Sequence, residues 1–138
     1  MNPHLFVYGS LLSAIGHPSG ERLRSEARLV GAASMPGRLY RVGWYPGLVE
    51  AAPGDARVHG EVYALADPAS SLAWLDEYES IVPGAQASNE YARAERVVQL
   101  ATGENVTAWV YLYQWDVTGV QLVADGRWVG AAPKTPRA

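Results

Sequence analysis

Tyr91 to Leu100 (YARAERVVQL) and Val106 to Trp115 (VTAWVYLYQW) flank the polar stretch Thr102-Gly103-Glu104-Asn105. Both runs are rich in β-branched and aromatic residues, and a glycine-containing turn joins them. The pattern predicts a β-hairpin, and hence an antiparallel sheet. Working outward, Val58 to Leu65 reads as a further strand after the turn Pro53-Gly54-Asp55. Arg38 to Val42 alternates like a strand, and Leu5 to Tyr8 is a short buried strand stopped by Gly9. Ala27 to Met35 is apolar and predicted to end at a turn, Pro36-Gly37. A second turn is expected at Tyr45-Pro46-Gly47, before Leu48-Val49-Glu50. Residues 13 to 26 read as a loop with one helical turn near Glu21 to Arg24, and residues 80 to 90 as a second loop. Gln121 to Val123 is expected to add an edge strand.

One helix stands out. Asp67 suits an N-cap and Pro68 the first helical position, so a helix should run from there to about Glu79. Strands outnumber helices and do not alternate regularly with them. The fold class is therefore α+β, with a largely antiparallel, strongly curved sheet or open barrel. The 138 residues suffice for one domain, expected over 1–132, with 133–138 as a flexible tail.

Composition narrows the function. Net charge is −3 and no basic block occurs, which speaks against a nucleic-acid partner. The absence of cysteine removes disulfides, thiol chemistry and zinc–thiolate sites. No basic leader precedes the first strand, and no apolar run approaches the ~20 residues of a membrane helix. The expected setting is cytoplasmic, with no membrane partner; oligomeric state is left open.

On a wheel of 100° steps, Leu72, Leu75 and Glu79 share the core-facing stripe of the helix. Glu77 projects to the opposite side and Asp76 sits at the stripe's edge. A carboxylate facing a core, at a helix C-terminus, is expected to have its pKa raised. A general base or acid needs that tuning. The alternative is a helix that frays before Glu79, its side chain turned to water or paired with an arginine. At the end of the first strand, Tyr8-Gly9-Ser10-Leu11 offers a backbone bend without a Cβ. Successive N–H groups there could hold a carboxylate or an oxyanion, or form an ordinary turn.

Together these features resemble the gamma-glutamylcyclotransferase-like superfamily, in its short bacterial-type branch. The resemblance runs in order through Phe6-Val7-Tyr8-Gly9-Ser10-Leu11, Pro36-Gly37-Arg38-Leu39-Tyr40, and Tyr45-Pro46-Gly47-Leu48-Val49. It continues through Val58-His59-Gly60-Glu61-Val62-Tyr63, Leu75-Asp76-Glu77-Tyr78-Glu79, Tyr91-Ala92-Arg93, and Ala108-Trp109-Val110-Tyr111-Leu112-Tyr113. Relatives often carry glycine after the glutamate, where this chain has Ser80.

The resemblance implies a small mixed, mostly antiparallel β-barrel with flanking helices. It implies Glu79 as catalytic residue, Tyr8, Gly9, Ser10 and Leu11 as the substrate loop, and Tyr91 near the substrate, with Arg93 a structural partner. The implied reaction needs no metal or other cofactor. Glu79 takes a proton from the α-amino group of a gamma-glutamyl compound, the nitrogen closes on the γ-carbonyl, and 5-oxoproline and an amine leave. The leaving amine is left open, with specificity expected in loops 13–26 and 80–90, the latter partly covering the pocket.

The rival reading is a repurposed pocket that binds a small carboxylate-bearing metabolite without cyclising it. A serine hydrolase built on Ser10 with His4, His17 or His59 lacks Gly-x-Ser-x-Gly and any ordering of a triad. A metal site lacks ligand spacing among those histidines.

Overall fold

The computed structural model describes residues 1–43, 45–79 and 89–129. In chain order the elements are β1 (His4–Val7), α1 (Pro18–Glu26), β2 (Ala27–Arg41), β3 (Pro46–Glu50), β4 (Arg57–Leu65), α2 (Pro68–Tyr78), β5 (Tyr91–Leu100), β6 (Asn105–Tyr113) and β7 (Gln121–Val123). A single 3-10 turn, Ser13–Ile15, precedes α1. The strands run β3-β2-β4-β1-β6-β5, and β2 also pairs with β5 through Ala33–Leu100 and Ser34–Gln99. That pairing closes β2, β4, β1, β6 and β5 into a barrel. All its ladders are antiparallel except β1–β6, where Leu5 pairs with Trp109. The expected α+β, mixed and mostly antiparallel barrel is therefore observed.

The predicted hairpin is β5–β6, in register from Tyr91–Tyr113 to Gln99–Asn105, with Gly103 at φ +96° in its turn. Only glycine enters that region without strain. The second strand ends at Tyr113, two residues short of the expected Trp115.

Three expectations need correction. Pro46 and Gly47, expected within a turn, open β3 and pair with Arg41 and Tyr40. Pro36-Gly37 does not turn the chain; β2 runs straight through it for 15 residues. Up to Pro36 the strand pairs with β4, and from Gly37 to Arg41 with β3. Proline and glycine here mark a change of partner: Pro36 has no N–H to give, and a Cβ on Gly37 would lie 3.1 Å from the Val49 carbonyl oxygen. The last correction concerns residues 13–26, where a full nine-residue helix replaces the single expected turn. Its cap is His17, whose Nδ1 accepts the Ser19 N–H at 3.0 Å, followed by Pro18 at the first helical position.

The interior divides into two clusters. Phe6, Tyr8, Leu39, Leu48, Val58, Val62, Val98 and Val110 fill the barrel. Leu5, Val7, Leu11, Leu23, Tyr63, Leu72, Leu75 and Tyr111 pack outside it, under the two helices. The side chains of β1 thus alternate, Phe6 and Tyr8 inward and Leu5 and Val7 toward the helices, as the period of a strand requires. The helices are tied together where α1 ends: Glu26 Oε1 accepts both the Ser71 hydroxyl at 2.7 Å and the Trp74 indole N–H at 2.8 Å. Among the described residues no helix is long and apolar enough to cross a membrane.

The start of α2 matches its prediction. Asp67 caps it by accepting the Ser70 N–H at 3.3 Å, and Pro68 occupies the first position. Replacing Asp67 with Ala should cost about 1 kcal/mol, the usual worth of such a cap. Chemical denaturation of the two proteins would show it as a lower midpoint with an unchanged slope.

Candidate active site

The wheel placed Glu79 on the face of α2 that carries Leu72 and Leu75, and both leucines are fully buried. The helix ends one residue earlier than expected, at Tyr78. Glu79 still donates its N–H to the Leu75 carbonyl at 2.9 Å, with φ −84°. The last helical bond is kept, so the side chain leaves in the helical direction and does not fray away. Glu79 is half-buried and lines a cleft shared with Tyr8, Gly9, Ser10, Leu11 and Tyr91. Every residue assigned to the site from the sequence is therefore brought to one cavity. The cleft encloses about 380 Å³, its open mouth included, and Phe6, Val7, Tyr45, Pro46 and Tyr111 complete the wall.

Between β1 and the 3-10 turn the chain bends tightly, and Leu12 donates its N–H to the Gly9 carbonyl at 3.0 Å. The N–H groups of Gly9, Ser10 and Leu11 meet no acceptor among the described residues. Three successive donors at the wall of a cleft are an arrangement that can hold negative charge. Gly9 is required by its neighbour: a Cβ there would sit 2.7 Å from Cγ of Pro46. The bend is pinned to α2 by a 2.6 Å hydrogen bond between Ser10 Oγ and the Tyr78 hydroxyl. Ser10 thus meets a tyrosine rather than a histidine, and the pin joins the cradle to the residue that precedes Glu79.

The tyrosines expected at the substrate build the wall. Tyr8 donates its hydroxyl to the Tyr111 carbonyl at 2.5 Å and accepts the Leu48 N–H at 3.4 Å. Tyr91 donates its hydroxyl to the Pro46 carbonyl at 2.6 Å. Its ring packs edge-on against Tyr113 at 5.3 Å.

Tyr111 and Asp76 were not singled out for the site. Asp76, at the edge of the helical stripe, accepts the Tyr111 hydroxyl at 2.6 Å. It also takes Nε and Nη2 of Arg93 at 2.8 and 3.2 Å. Arg93 lies 4.5 Å from the centre of the Trp109 ring, as a stacked structural partner. Burial, above all, pushes the Tyr111 phenol far up, helped by the Asp76 hydrogen bond and the charges of Asp76 and Glu79. Tyr111 therefore stays protonated and holds a fixed wall beside Glu79. The local signal was the strand alternation that puts Trp109, Tyr111 and Tyr113 on one face of β6.

Of the remaining expectations, loop 80–90 lies outside the described residues up to 88. At its end Glu90 is buried and accepts the Tyr45 hydroxyl at 2.7 Å.

Residues 5–130 match the family described as "Gamma-glutamyl cyclotransferase, AIG2-like". The chain belongs to that family. It is 36% identical over 126 residues to the gamma-glutamylcyclotransferase family protein YtfP of Escherichia coli K12, covering 91% of this chain and 95% of the relative. The solution structure of the Escherichia coli ytfP protein superposes with a TM-score of 0.60 at 38% identity, over 91% of this chain and 96% of that one. An AIG2-like protein from mouse superposes with a TM-score of 0.63 at 27% identity, over 83% and 79% of the two chains. Family membership agrees with the resemblance carried by the ordered segments of the sequence.

Proposed function

We propose that this protein is a gamma-glutamylcyclotransferase that converts a gamma-glutamyl amine or peptide to 5-oxoproline and a free amine, with Glu79 as general base and then general acid. One observation carries the reading: Glu79 lines the same small cleft as the Gly9–Leu11 bend, whose three backbone N–H groups meet no acceptor among the described residues. Cyclisation needs those two things. The N–H groups of Gly9, Ser10 and Leu11 bind the substrate's carboxylate or stabilise the oxyanion on its γ-carbonyl. Glu79 takes a proton from the α-amino group as that nitrogen attacks the γ-carbon, and returns it to the departing amine. The ring closes within one molecule, so the enzyme's main task is to hold a folded conformer, and the tyrosine walls do that. No step draws on a cofactor.

A pocket that only binds a small carboxylate is the second reading. The half-buried Glu79 disfavours it, because a carboxylate beside an anion repels the ligand unless it has a proton to move. The deciding experiment incubates the protein with a panel of gamma-glutamyl amines and dipeptides and assays 5-oxoproline. Turnover of at least one supports the enzyme. Saturable binding across the panel with no product would establish the binding pocket instead.

A further inference from the structure

Behind the cradle lies a second carboxylate that is not among the residues lining the cleft. Glu61 on β4 pairs across the ladder with Val7, the last residue of β1, so it stands level with the point where the cradle leaves the barrel. It can stand so close because its neighbour is Gly60, where any Cβ would lie 2.0 Å from the Val7 carbonyl oxygen. Both oxygens of Glu61 clasp Ser13: Oε1 accepts the Ser13 N–H at 2.9 Å and Oε2 its hydroxyl at 2.6 Å. Tyr63, two residues along the same strand, donates its hydroxyl to Oε1 at 3.4 Å.

The segment from Gly9 to Ser13 is thus held in three places. Leu12 N–H to the Gly9 carbonyl closes the bend from within. Ser10 to Tyr78 pins it to α2, and Ser13 to Glu61 pins it to β4. The three N–H groups of Gly9, Ser10 and Leu11 lie along that pinned segment. Hydrogen bonds to an ionised carboxylate are stronger than neutral ones, so the Glu61 clasp is well suited to fix the far end of a short exposed loop. Catalysis by oriented backbone donors depends on such fixing, because a displacement of about 1 Å is enough to cost 10²-fold in rate.

We propose that Glu61 is a positioning residue of the active site: through Ser13 it holds the Gly9–Leu11 amides converged on the substrate. The proposal rests on the cyclotransferase reading for its kinetic consequence, and on geometry alone for its structural one. It also gives a purpose to the Gly60-Glu61-Val62-Tyr63 stretch, which otherwise reads as barrel wall.

Two measurements test it together. Glu61→Ala should lower kcat/KM for 5-oxoproline formation by about 10- to 10²-fold. In the same variant, exchange of the Leu12 amide, which is hydrogen-bonded within the bend, should speed up while the rest of the barrel stays protected. Glu61→Gln should recover most of both, because its amide oxygen accepts the Ser13 N–H and its amide nitrogen lies beside the Ser13 hydroxyl. A residue that only stabilises the fold would lower the melting temperature without this local pattern. Ser13→Pro is the second variant. Leu12 has φ −59° and ψ 143°, a conformation compatible with a following proline, so the substitution deletes the donor and keeps the path of the chain.

Unchanged exchange of the Leu12 amide in both Glu61→Ala and Ser13→Pro would overturn the proposal, as would faster exchange with wild-type kcat/KM. Failure of the wild type to form 5-oxoproline would sink the cyclotransferase reading by itself. Exchange would still decide whether Glu61 holds the cradle.

Discussion

Glu79→Gln loses turnover by about 10²- to 10⁴-fold, the usual worth of a positioned general acid–base group. The substitution keeps the shape of the side chain and its place at the end of α2, and removes the ability to carry a proton. The Glu79 N–H to Leu75 carbonyl bond is made by the backbone and survives. So do the Asp67 cap and the buried pair Leu72 and Leu75, which hold the helix. Folding stability should therefore stay close to wild type, and binding of a gamma-glutamyl ligand should persist. The loss should fall on kcat more than on KM, because the missing interaction belongs to the transition state. Steady-state kinetics of 5-oxoproline release beside a thermal melt make the measurement. A variant that turns over at the wild-type rate would remove Glu79 from the mechanism.

Gly60→Ala should produce a large loss of stability. The added methyl would lie 2.0 Å from the carbonyl oxygen of Val7 and 3.0 Å from Cζ of Phe6. The first obstacle is backbone, and it cannot swing aside as a side chain would. β1 would have to move away from β4 along a ladder that runs from His4–Ala64 to Val7–Glu61. β1 is central to the barrel, with β4 on one side and β6 on the other. Overpacking of this kind costs about 3 kcal/mol. At a few degrees per kcal/mol, the melting temperature should fall by roughly 10 °C. Val7 lies two residues before Gly9, so any variant that does fold should show weakened catalysis as well. A melting temperature within a degree of wild type would mean that β1 and β4 are not packed this closely.

Much of this was legible in the chain itself, and for local reasons. The cap of α2, its first proline and its spacing of leucines all lie within about a dozen residues. They place Glu79 on an inward face before any partner is known. The β5–β6 hairpin is equally local, since turn chemistry and strand composition are adjacent in sequence. The bend at Gly9 could be seen as a bend, though its function could not. The helix α1 was missed because it buries only Gly20 and Leu23 and is capped by His17, which is not among the usual capping residues. A stripe one leucine wide leaves no periodic signal.

Sequence alone therefore determined the helical stripe that carries Glu79, the antiparallel hairpin and the glycine that lets the cradle form. Each depends on dihedral preference and side-chain spacing over a few residues. Tertiary structure decided the partners. Pro36-Gly37 became a change of neighbour rather than a turn because β4 and β3 lie in wait on either side of it. Asp76 came to be shared between Arg93 and Tyr111, and Glu61 came to hold Ser13, across 17, 35 and 48 positions of the chain. Contacts of that range carry no local signature. They exist because closing the barrel brings the ends of β1, β4 and β6 to one rim, and that rim is where the cleft opens.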